Sequence, residues 1–355
     1  MTDAVTREIF GHLPDGTAVE RIGLRTDDGF AAHVITWGAT LQALMVPDRR
    51  GEIADVVLGF DALDGYTVPR RNYGVSVGRY ANRIAGAGFD FDGTRITLAA
   101  NEPPNALHGG VEGFSRKVWT IAATEDGLSP AVTLALHSPD GDEGFPGALD
   151  VRATYRISGP HELTIDYVAA TSRPTVVSLT NHSFFNLDGA AGGNDILQHR
   201  LSVAADAFLG MDDVRIPLPG PPYDVTGTPF DFRTISAVGA RIHDADEQIQ
   251  RGRGYDHNFC LRPADGIRLA ARVEAPQSGR SMELLTNQPG LQVYSGNYLD
   301  GSITGKYGRT YRQYDALCLE PQNWPDAPNR PDFPSARLDP GTPYRNQTIY
   351  RFGAS

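Results

Sequence analysis

Hydrophobic and polar residues alternate along much of the chain, whereas apolar residues at helical spacing are scarce. The run 151–157 (Val-Arg-Ala-Thr-Tyr-Arg-Ile) has an apolar side chain at every second position, and the similar run 163–168 follows the turn Ser158-Gly159-Pro160. A period of two is typical of a strand with one buried face, so the two runs predict a β-hairpin. Further strands are predicted at 32–36, 269–274, 282–286, 291–294 and 316–319, and another hairpin around Gly86-Ala87-Gly88 and Asp92-Gly93.

One short helix is predicted, within 237–250, and the proline-rich tail 324–343 is expected to be extended coil laid over the strands. The sequence shows neither an internal repeat nor a low-complexity linker at which to divide it. Many short strands separated by turns favour an all-β fold, a large antiparallel β-sandwich. We expect a single domain over residues 1–355.

Composition narrows the function classes. The formal net charge is -11, which disfavours binding to nucleic acid or to an anionic membrane surface. Residues 1–10 lack the apolar core of a signal peptide, and the longest apolar runs are too short to span a bilayer, so we expect a cytoplasmic protein. The two cysteines, Cys260 and Cys318, lie in apolar strand-like contexts and are expected to be free thiols. Two cysteines cannot make a structural zinc site by themselves, and no metal is expected.

Two ionisable residues lie where an apolar run ends among polar and aromatic neighbours. Glu320 directly follows Leu317-Cys318-Leu319 and precedes Pro321-Gln322-Asn323-Trp324. Loss of solvent at such a position raises a carboxyl pKa and suits acid–base chemistry. From position alone, a surface glutamate at a strand end is the more common interpretation. His182 lies in Asn181-His182-Ser183-Phe184-Phe185-Asn186-Leu187. It is either a structural histidine or an imidazole oriented to donate a proton near pH 7.

Seven segments, taken together and in order, resemble the aldose 1-epimerase (galactose mutarotase) family. The resemblance runs from Val19 through the tail. It implies the family's fold, the galactose mutarotase-like supersandwich, with a substrate cleft on one face, and an isomerase that needs no cofactor. The seven segments are Gly78 to Ile84, Pro104 to Gly110, Asp142 to Gly147, Thr180 to Leu187, Tyr255 to Phe259, Asn287 to Gly290 and Leu319 to Asp326.

The same resemblance implies a role for individual residues. Glu320 stands at the family's base and His182 at its acid. Taken alone, His108 before Gly109-Gly110 could brace a turn, Arg83 could lie on a surface strand, and Asp256 could cap a turn. The resemblance instead implies contacts with substrate hydroxyls or the ring oxygen, which fall on Asn82, Arg83, His108, Asp256 and Gln288.

The implied reaction interconverts the α and β anomers of a free aldose. Glu320 takes the proton of the C1 hydroxyl while protonated His182 donates to the ring oxygen; the ring opens, C1 turns, and reclosure gives the other anomer. Both residues must be charged at the same pH, and their proximity would favour both charges. The expected partner is a small aldose, hexose or pentose, bound by a monomer.

Three other functions fit parts of the pattern. A glycoside hydrolase would use Asp256 and Glu320 as paired carboxyl groups. A non-catalytic sugar-binding β-sandwich would keep the aromatic and polar contacts but would not need both His182 and Glu320. A hexose-6-phosphate epimerase would need a cluster of basic residues for the phosphate, and the sequence shows no obvious one.

Overall fold

β-Strands dominate this computed structural model, which describes residues 3–355. Among these residues, the helices are two short ones, α1 (Leu63–Thr67) and α2 (Glu247–Gly252), and single 3₁₀ turns. The first strands are β1 (Val5–His12), β2 (Ala18–Arg25), β3 (Ala31–Ile35), β4 (Thr40–Pro47), β5 (Ile53–Asp55), β6 (Ser76–Val77), β7 (Arg83–Ile84), β8 (Gly88–Phe91), β9 (Thr94–Thr97), β10 (Ala106–Leu107), β11 (Thr120–Glu125), β12 (Ala131–Ser138), β13 (Leu149–Gly159), β14 (Glu162–Thr171) and β15 (Thr175–Val176). The remaining strands are β16 (Thr180–Asn181), β17 (Phe184–Phe185), β18 (Arg200–Val203), β19 (Ala205–Phe208), β20 (Tyr223–Asp224), β21 (Ser236–Ala237), β22 (Asp256–Leu261), β23 (Arg268–Glu274), β24 (Arg280–Thr286), β25 (Gly290–Tyr294), β26 (Asp300–Thr304), β27 (Thr310–Arg312), β28 (Leu317–Gln322), β29 (Arg337–Leu338) and β30 (Tyr344–Ala354).

Three sheets make the body of the fold. The largest has nine strands in the order β11-β12-β13-β14-β30-β24-β23-β18-β21. A six-stranded sheet has the order β17-β28-β25-β22-β19-β20, and β1 to β5 form a third sheet in chain order. Neighbouring strands in these sheets run antiparallel. The predicted all-β class and antiparallel sandwich are confirmed.

The main hydrophobic core lies between these sheets, and alternation along β28 shows how it is shared. Leu317 and Leu319 of β28 belong to the main core, together with residues of the nine-stranded sheet such as Ile165 and Tyr350. Cys318 points to the opposite face and packs in a second cluster. Successive side chains of a strand face opposite sides, so Glu320 shares the face of Cys318. The outer face of the six-stranded sheet therefore carries polar side chains, although the strands that bear them are buried.

Most of the strand predictions are confirmed, and the differences are local. The predicted hairpin is β13–β14, and the turn Asp92-Gly93 joins β8 to β9. The helix expected within 237–250 is wrong in position: α2 begins at Glu247, because the Asp246 carboxylate accepts the backbone N–H groups of Gln248 and Ile249. The tail is extended coil as expected, apart from β29 and one 3₁₀ turn.

Both cysteines are free, as predicted; Cys318 is buried and Cys260 is half-buried. Within residues 3–355, none of the helices has the length and apolar character to cross a membrane.

A buried ion pair fastens the segment after β26 to the third sheet. Lys306 Nζ lies 2.5 Å from Asp55 Oδ2, and both side chains are almost completely buried. Lys306 Nζ also donates to the backbone oxygen of Gln42 at 2.6 Å. A buried charge without its partner is strongly destabilising, so this pair holds the turn between β26 and β27 in place.

We expect Asp55→Asn to lower the free energy of unfolding by about 3 kcal/mol, because it leaves the Lys306 ammonium buried without a carboxylate. The asparagine oxygen can still accept the backbone N–H groups of Leu44 and Val57. Urea denaturation measures the change. The control is Asp206→Asn, which removes an exposed pair with Arg262 and should have a far smaller effect. Equal losses in the two variants would contradict the role given to burial.

Candidate active site

A cavity of about 430 Å³ opens on the outer face of the six-stranded sheet. Six of the seven residues proposed from the sequence line it, although they come from segments far apart in the chain. These six are Asn82, Arg83, His108, His182, Asp256 and Glu320.

The floor of the cavity is built by three neighbouring strands. Gln292 of β25 pairs with Glu320 of β28 on one side and with Asn258 of β22 on the other. Asp256 lies two residues before Asn258 and therefore on the same face. The Gln292 side chain donates from Nε2 to Asp256 Oδ1 at 2.7 Å. The register of three strands thus brings a carboxylate, an amide and a second carboxylate side by side.

His182 faces Glu320 across the cavity, from the turn between β16 and β17. Its Nε2 lies 3.6 Å from Glu320 Oε1. The imidazole stacks on Phe184, with ring centroids 5.0 Å apart and planes at 19°, and meets the edge of His108 at 5.4 Å. Among the described residues, its buried Nδ1 has no hydrogen-bond partner. Packing against the neighbouring rings, and not a hydrogen bond to Nδ1, therefore orients the Nε2 side of the imidazole toward Glu320.

The polar neighbours of His182 bond to backbone oxygens and to one another. Asn181 donates to the backbone oxygen of Gly74 at 2.8 Å, and Ser183 donates to Asn181. Asn186 donates to the backbone oxygens of Asn194 and Asp315. These groups fix the backbone of the turn, so they position His182 only indirectly.

A small two-stranded sheet presents the next wall. Strand β7 begins at Arg83 and pairs with β10, which ends one residue before His108. The backbone N–H of Asn82 donates to His108 Nδ1 at 3.2 Å. Because Nδ1 accepts this bond, the proton of the neutral ring is on Nε2. His108 can thus act as a hydrogen-bond donor through Nε2 without carrying a charge.

Arg83 is held by a carboxylate that the sequence did not single out. Its Nε and Nη2 donate to the two oxygens of Glu102 at 2.6 and 3.0 Å. Arg215 donates to the same carboxylate at 3.3 Å and to the hydroxyl of Tyr298 at 2.8 Å. Glu102, Arg215 and Tyr298 all line the cavity. They come from loops without a motif, so only the fold reveals them.

The structure also corrects the view that the chain has no cluster of basic residues near its site. Arg70 and Arg71 line the cavity together with Arg83 and Arg215. Arg83 and Arg215 share Glu102, whereas Arg70 donates to the backbone oxygen of Asn101 and Arg71 lies over the ring of Phe60. The sequence hid the cluster because Arg215 lies more than a hundred residues after Arg70, Arg71 and Arg83 and joins them only in the fold.

Burial governs the protonation of the site. It lowers the pKa of His182 to about 4. It also raises the pKa of Glu320 well above its usual range; the negative charge of Asp256 acts in the same direction and the Arg83 cation opposes it. Desolvation likewise lowers the pKa of His108 and raises that of Asp256. Attraction across 3.6 Å would favour the ion pair between His182 and Glu320 that the sequence predicted, whereas the loss of solvent acts against both charges.

Gln288 is the exception among the predicted residues. It lies in the turn before β25, outside the residues that line the cavity. Its side chain donates to Asn287 Oδ1 and to the backbone oxygen of Arg345. Gln292 holds the corresponding place in the cavity. Alternation could have revealed it, because a polar residue between buried Leu291 and Val293 must face the opposite side of the strand from the core.

Three side chains of the site have the chemistry of metal ligands. Among the described residues, ligand atoms of His182, Cys318 and Glu320 lie within 4.8 Å of one another. Cys318 is behind the wall and does not line the cavity.

The fold and this cavity define a class: a β-sandwich protein whose cleft pairs an imidazole with a carboxylate among hydrogen-bonding groups. The sequence model of the aldose 1-epimerase family matches residues 20–351. The galactose mutarotase of Rattus norvegicus is 45% identical over 353 residues, 99% of each chain, and that of Homo sapiens 44% identical with the same coverage. The aldose 1-epimerase of Escherichia coli (strain K12) is 37% identical and covers 96% of each chain.

Solved structures agree. A GalM/aldose epimerase homologue from C. elegans has a TM-score of 0.86 at 31% identity, covering 94% of this chain and 98% of that one. A galactose 1-epimerase from Lactobacillus acidophilus NCFM has a TM-score of 0.87 at 26% identity over 100% of both chains. The chain belongs to the aldose 1-epimerase family. The predicted family and the predicted activity, interconversion of aldose anomers by an isomerase, are confirmed.

We expect Phe184→Leu to lower kcat about ten- to a hundredfold with little change in KM, because the stacked face that orients His182 is lost. Polarimetry of an aldose dissolved as its α anomer measures the rate. The control is Phe185→Leu, which removes the neighbouring ring from the main core instead and should affect stability but not kcat. Similar kcat values in the two variants would show that the stack does not position the acid.

Proposed function

We propose that His182 and Glu320 carry out the acid–base chemistry of aldose anomer exchange in this cavity, with Glu320 as general base and His182 as general acid. One observation carries the proposal. Two buried ionisable groups, the His182 imidazole and the Glu320 carboxyl, face each other at 3.6 Å in a cavity that is open to a small solute. The resemblance in sequence gives the same two residues the same roles.

The reaction follows from that placement. With a ring-closed aldose bound, Glu320 takes the proton of the C1 hydroxyl and His182 donates its Nε2 proton to the ring oxygen. The bond between C1 and the ring oxygen breaks, and a free aldehyde with a hydroxyl at the former ring oxygen forms. Rotation about C1–C2 presents the other face of the carbonyl. The two proton transfers then run backwards, and the ring closes as the other anomer.

Burial of the pair favours this exchange. The pair can be charged, as imidazolium and carboxylate, or neutral, as imidazole and carboxylic acid. Both arrangements hold the same number of protons. The first arrangement precedes ring opening and the second follows it. Because burial disfavours both charges, it favours proton transfer from the C1 hydroxyl to Glu320 and from His182 to the ring oxygen. Sugar hydroxyls that bond to the charged groups offset part of this preference while the ring is closed.

The other groups of the cavity suit the hydroxyls of a sugar. Each hydroxyl can donate one hydrogen bond and accept others. His108 offers its Nε2 proton, and the Arg83 guanidinium is held in place by Glu102. Oε1 of Gln292 and Oε2 of Glu320 are buried without partners, so hydroxyl donors would satisfy them. These contacts support a neutral aldose as substrate, and the names of the curated relatives support galactose among the aldoses accepted. The expected monomer and the cytoplasmic location stay predictions.

We expect Glu320→Gln and His182→Asn each to lower kcat about 10²–10⁴-fold, the usual contribution of a general base or acid. Polarimetry of freshly dissolved α-D-galactose and α-D-glucose measures the rate, and circular dichroism shows whether the variants are folded. The control is His199→Asn: His199 is a buried histidine that accepts the backbone N–H of Leu187 and does not line the cavity. Folded His199→Asn should keep a kcat within about twofold of the wild type.

Two results would count against different parts of the proposal. No acceleration over buffer with any aldose would leave a sugar-binding protein. Acceleration that survives both substitutions would place the acid–base pair elsewhere.

The two glutamines distinguish the observed site from the one expected from sequence. We expect Gln292→Ala to raise KM for galactose about tenfold, because the substrate loses one hydrogen bond and Asp256 loses its donor. Gln288→Ala is the matched control, since that amide bonds to Asn287 and to the backbone oxygen of Arg345 and does not line the cavity; its KM should stay close to the wild-type value. If Gln288→Ala raised KM and Gln292→Ala did not, Gln288 would be the substrate contact, as the sequence predicted.

A further inference from the structure

Directly beside the acid–base pair lies a thiol with no part in the proton transfers. Cys318 stands two residues before Glu320 on β28 and shares its face of the strand. It is fully buried, next to the aromatic rings of Phe184 and Tyr294. The reaction proposed above uses neither its proton nor its sulfur.

We propose that, when no sugar is bound, the His182 imidazole, the Glu320 carboxylate and the Cys318 thiolate together bind a thiophilic divalent cation such as Zn²⁺ or Cd²⁺. The fourth coordination position faces the cavity. The bound cation excludes the aldose, because it occupies the two groups that the reaction needs. The cation is therefore an inhibitor that competes with substrate.

The distances support this site. A tetrahedral cation with ligands at about 2.0–2.3 Å needs ligand atoms about 3.3–3.8 Å apart. Nε2 of His182 and Oε1 of Glu320 are already 3.6 Å apart. Ligand atoms of all three residues lie within 4.8 Å of one another, which exceeds the upper tetrahedral spacing by at most about 1 Å. Rotation of one side chain can supply a movement of that size.

The state of the site without sugar also suits a cation. Glu320 is almost completely buried, with 2% of its surface exposed, and among the described residues its Oε2 has no hydrogen-bond partner. His182 and Glu320 both line the open cavity, which gives the ion a path to them. On binding, the protons held by the Cys318 thiol and the Glu320 carboxyl are released to solvent, and bonds form from the cation to the Cys318 sulfur, a Glu320 oxygen and a His182 nitrogen. Thiolate and carboxylate then balance the two positive charges, so the buried centre carries no net charge.

The ligand set selects among cations. One carboxylate with one imidazole and one thiolate is typical of zinc and its thiophilic analogues. Mg²⁺ and Ca²⁺ take oxygen ligands, of which this site offers a single side chain. We therefore expect Mg²⁺ to leave the enzyme unaffected.

Direct binding is measured without reference to activity. CdCl₂ is titrated into the full chain, and the ultraviolet charge-transfer absorption of a cadmium–thiolate bond is followed. We expect wild type and Cys260→Ala, which lacks the other thiol of the chain, to show a band that saturates at one equivalent. Cys318→Ala should show none, and Cys318→Ser replaces it if the alanine variant does not fold. A wild type without a band, or a band that depends on Cys260 instead, would overturn the proposal.

Competition with substrate rests on the proposed function and is tested separately by polarimetry. ZnCl₂ should raise the apparent KM for galactose and leave kcat unchanged, EDTA should reverse the effect, and MgCl₂ should have none. Each rate is compared with that of the same variant without metal. The half-inhibiting zinc concentration should rise about tenfold or more in Cys318→Ala and stay unchanged in Cys260→Ala. Equal inhibition of Cys318→Ala and wild type would overturn the site, whereas a cadmium band in a protein without mutarotase activity would overturn only the proposed function.

Discussion

The register of strand β25 between β22 and β28 is the constraint on which the site depends. Gln292 pairs with Glu320 and with Asn258, and this pairing places Glu320 and Asp256 on the floor of one cavity. A slip of one residue would turn every side chain of a strand to the opposite face. Glu320 would then enter the hydrophobic core, and Leu319 would replace it in the cavity. The apolar core on one face of this sheet thus fixes the chemistry on the other.

The same architecture explains why the acid and the base are so strongly perturbed. A sheet with a packed core beneath it and aromatic rings around it offers little water to His182 and Glu320. Burial therefore lowers the pKa of His182 and raises that of Glu320, and each shift favours the neutral form. Proton exchange with a bound sugar lets each residue pass between its charged and its neutral form. Desolvation is thus part of the proposed acid–base arrangement, and it also costs stability.

Support for the site comes from groups outside it. Phe184 orients His182 by stacking, Glu102 holds Arg83 through two hydrogen bonds, and the turn around Asn181 is fixed by bonds to backbone oxygens. On the far wall, the buried pair of Lys306 with Asp55 fastens the segment after β26. The bond from Asn181 to Gly74 and the pair of Lys306 with Asp55 join parts of the chain that are distant in sequence, and they tie the loops around the cavity to the sheets.

The sequence by itself determined the class of fold, and its resemblance to the family supplied the proposed acid–base pair. Alternation is a local property of a strand with one buried face, so it revealed the hairpin β13–β14 and strands such as β25 and β28. The seven segments identified the family, and the residues within them include His182 and Glu320. Only the tertiary structure decided that Gln292 and not Gln288 faces the cavity, that four arginines meet there, and that Cys318 lies against the acid–base pair. Contacts across strands and between loops depend on register and packing over long sequence separations, and a pattern along the chain contains no record of them.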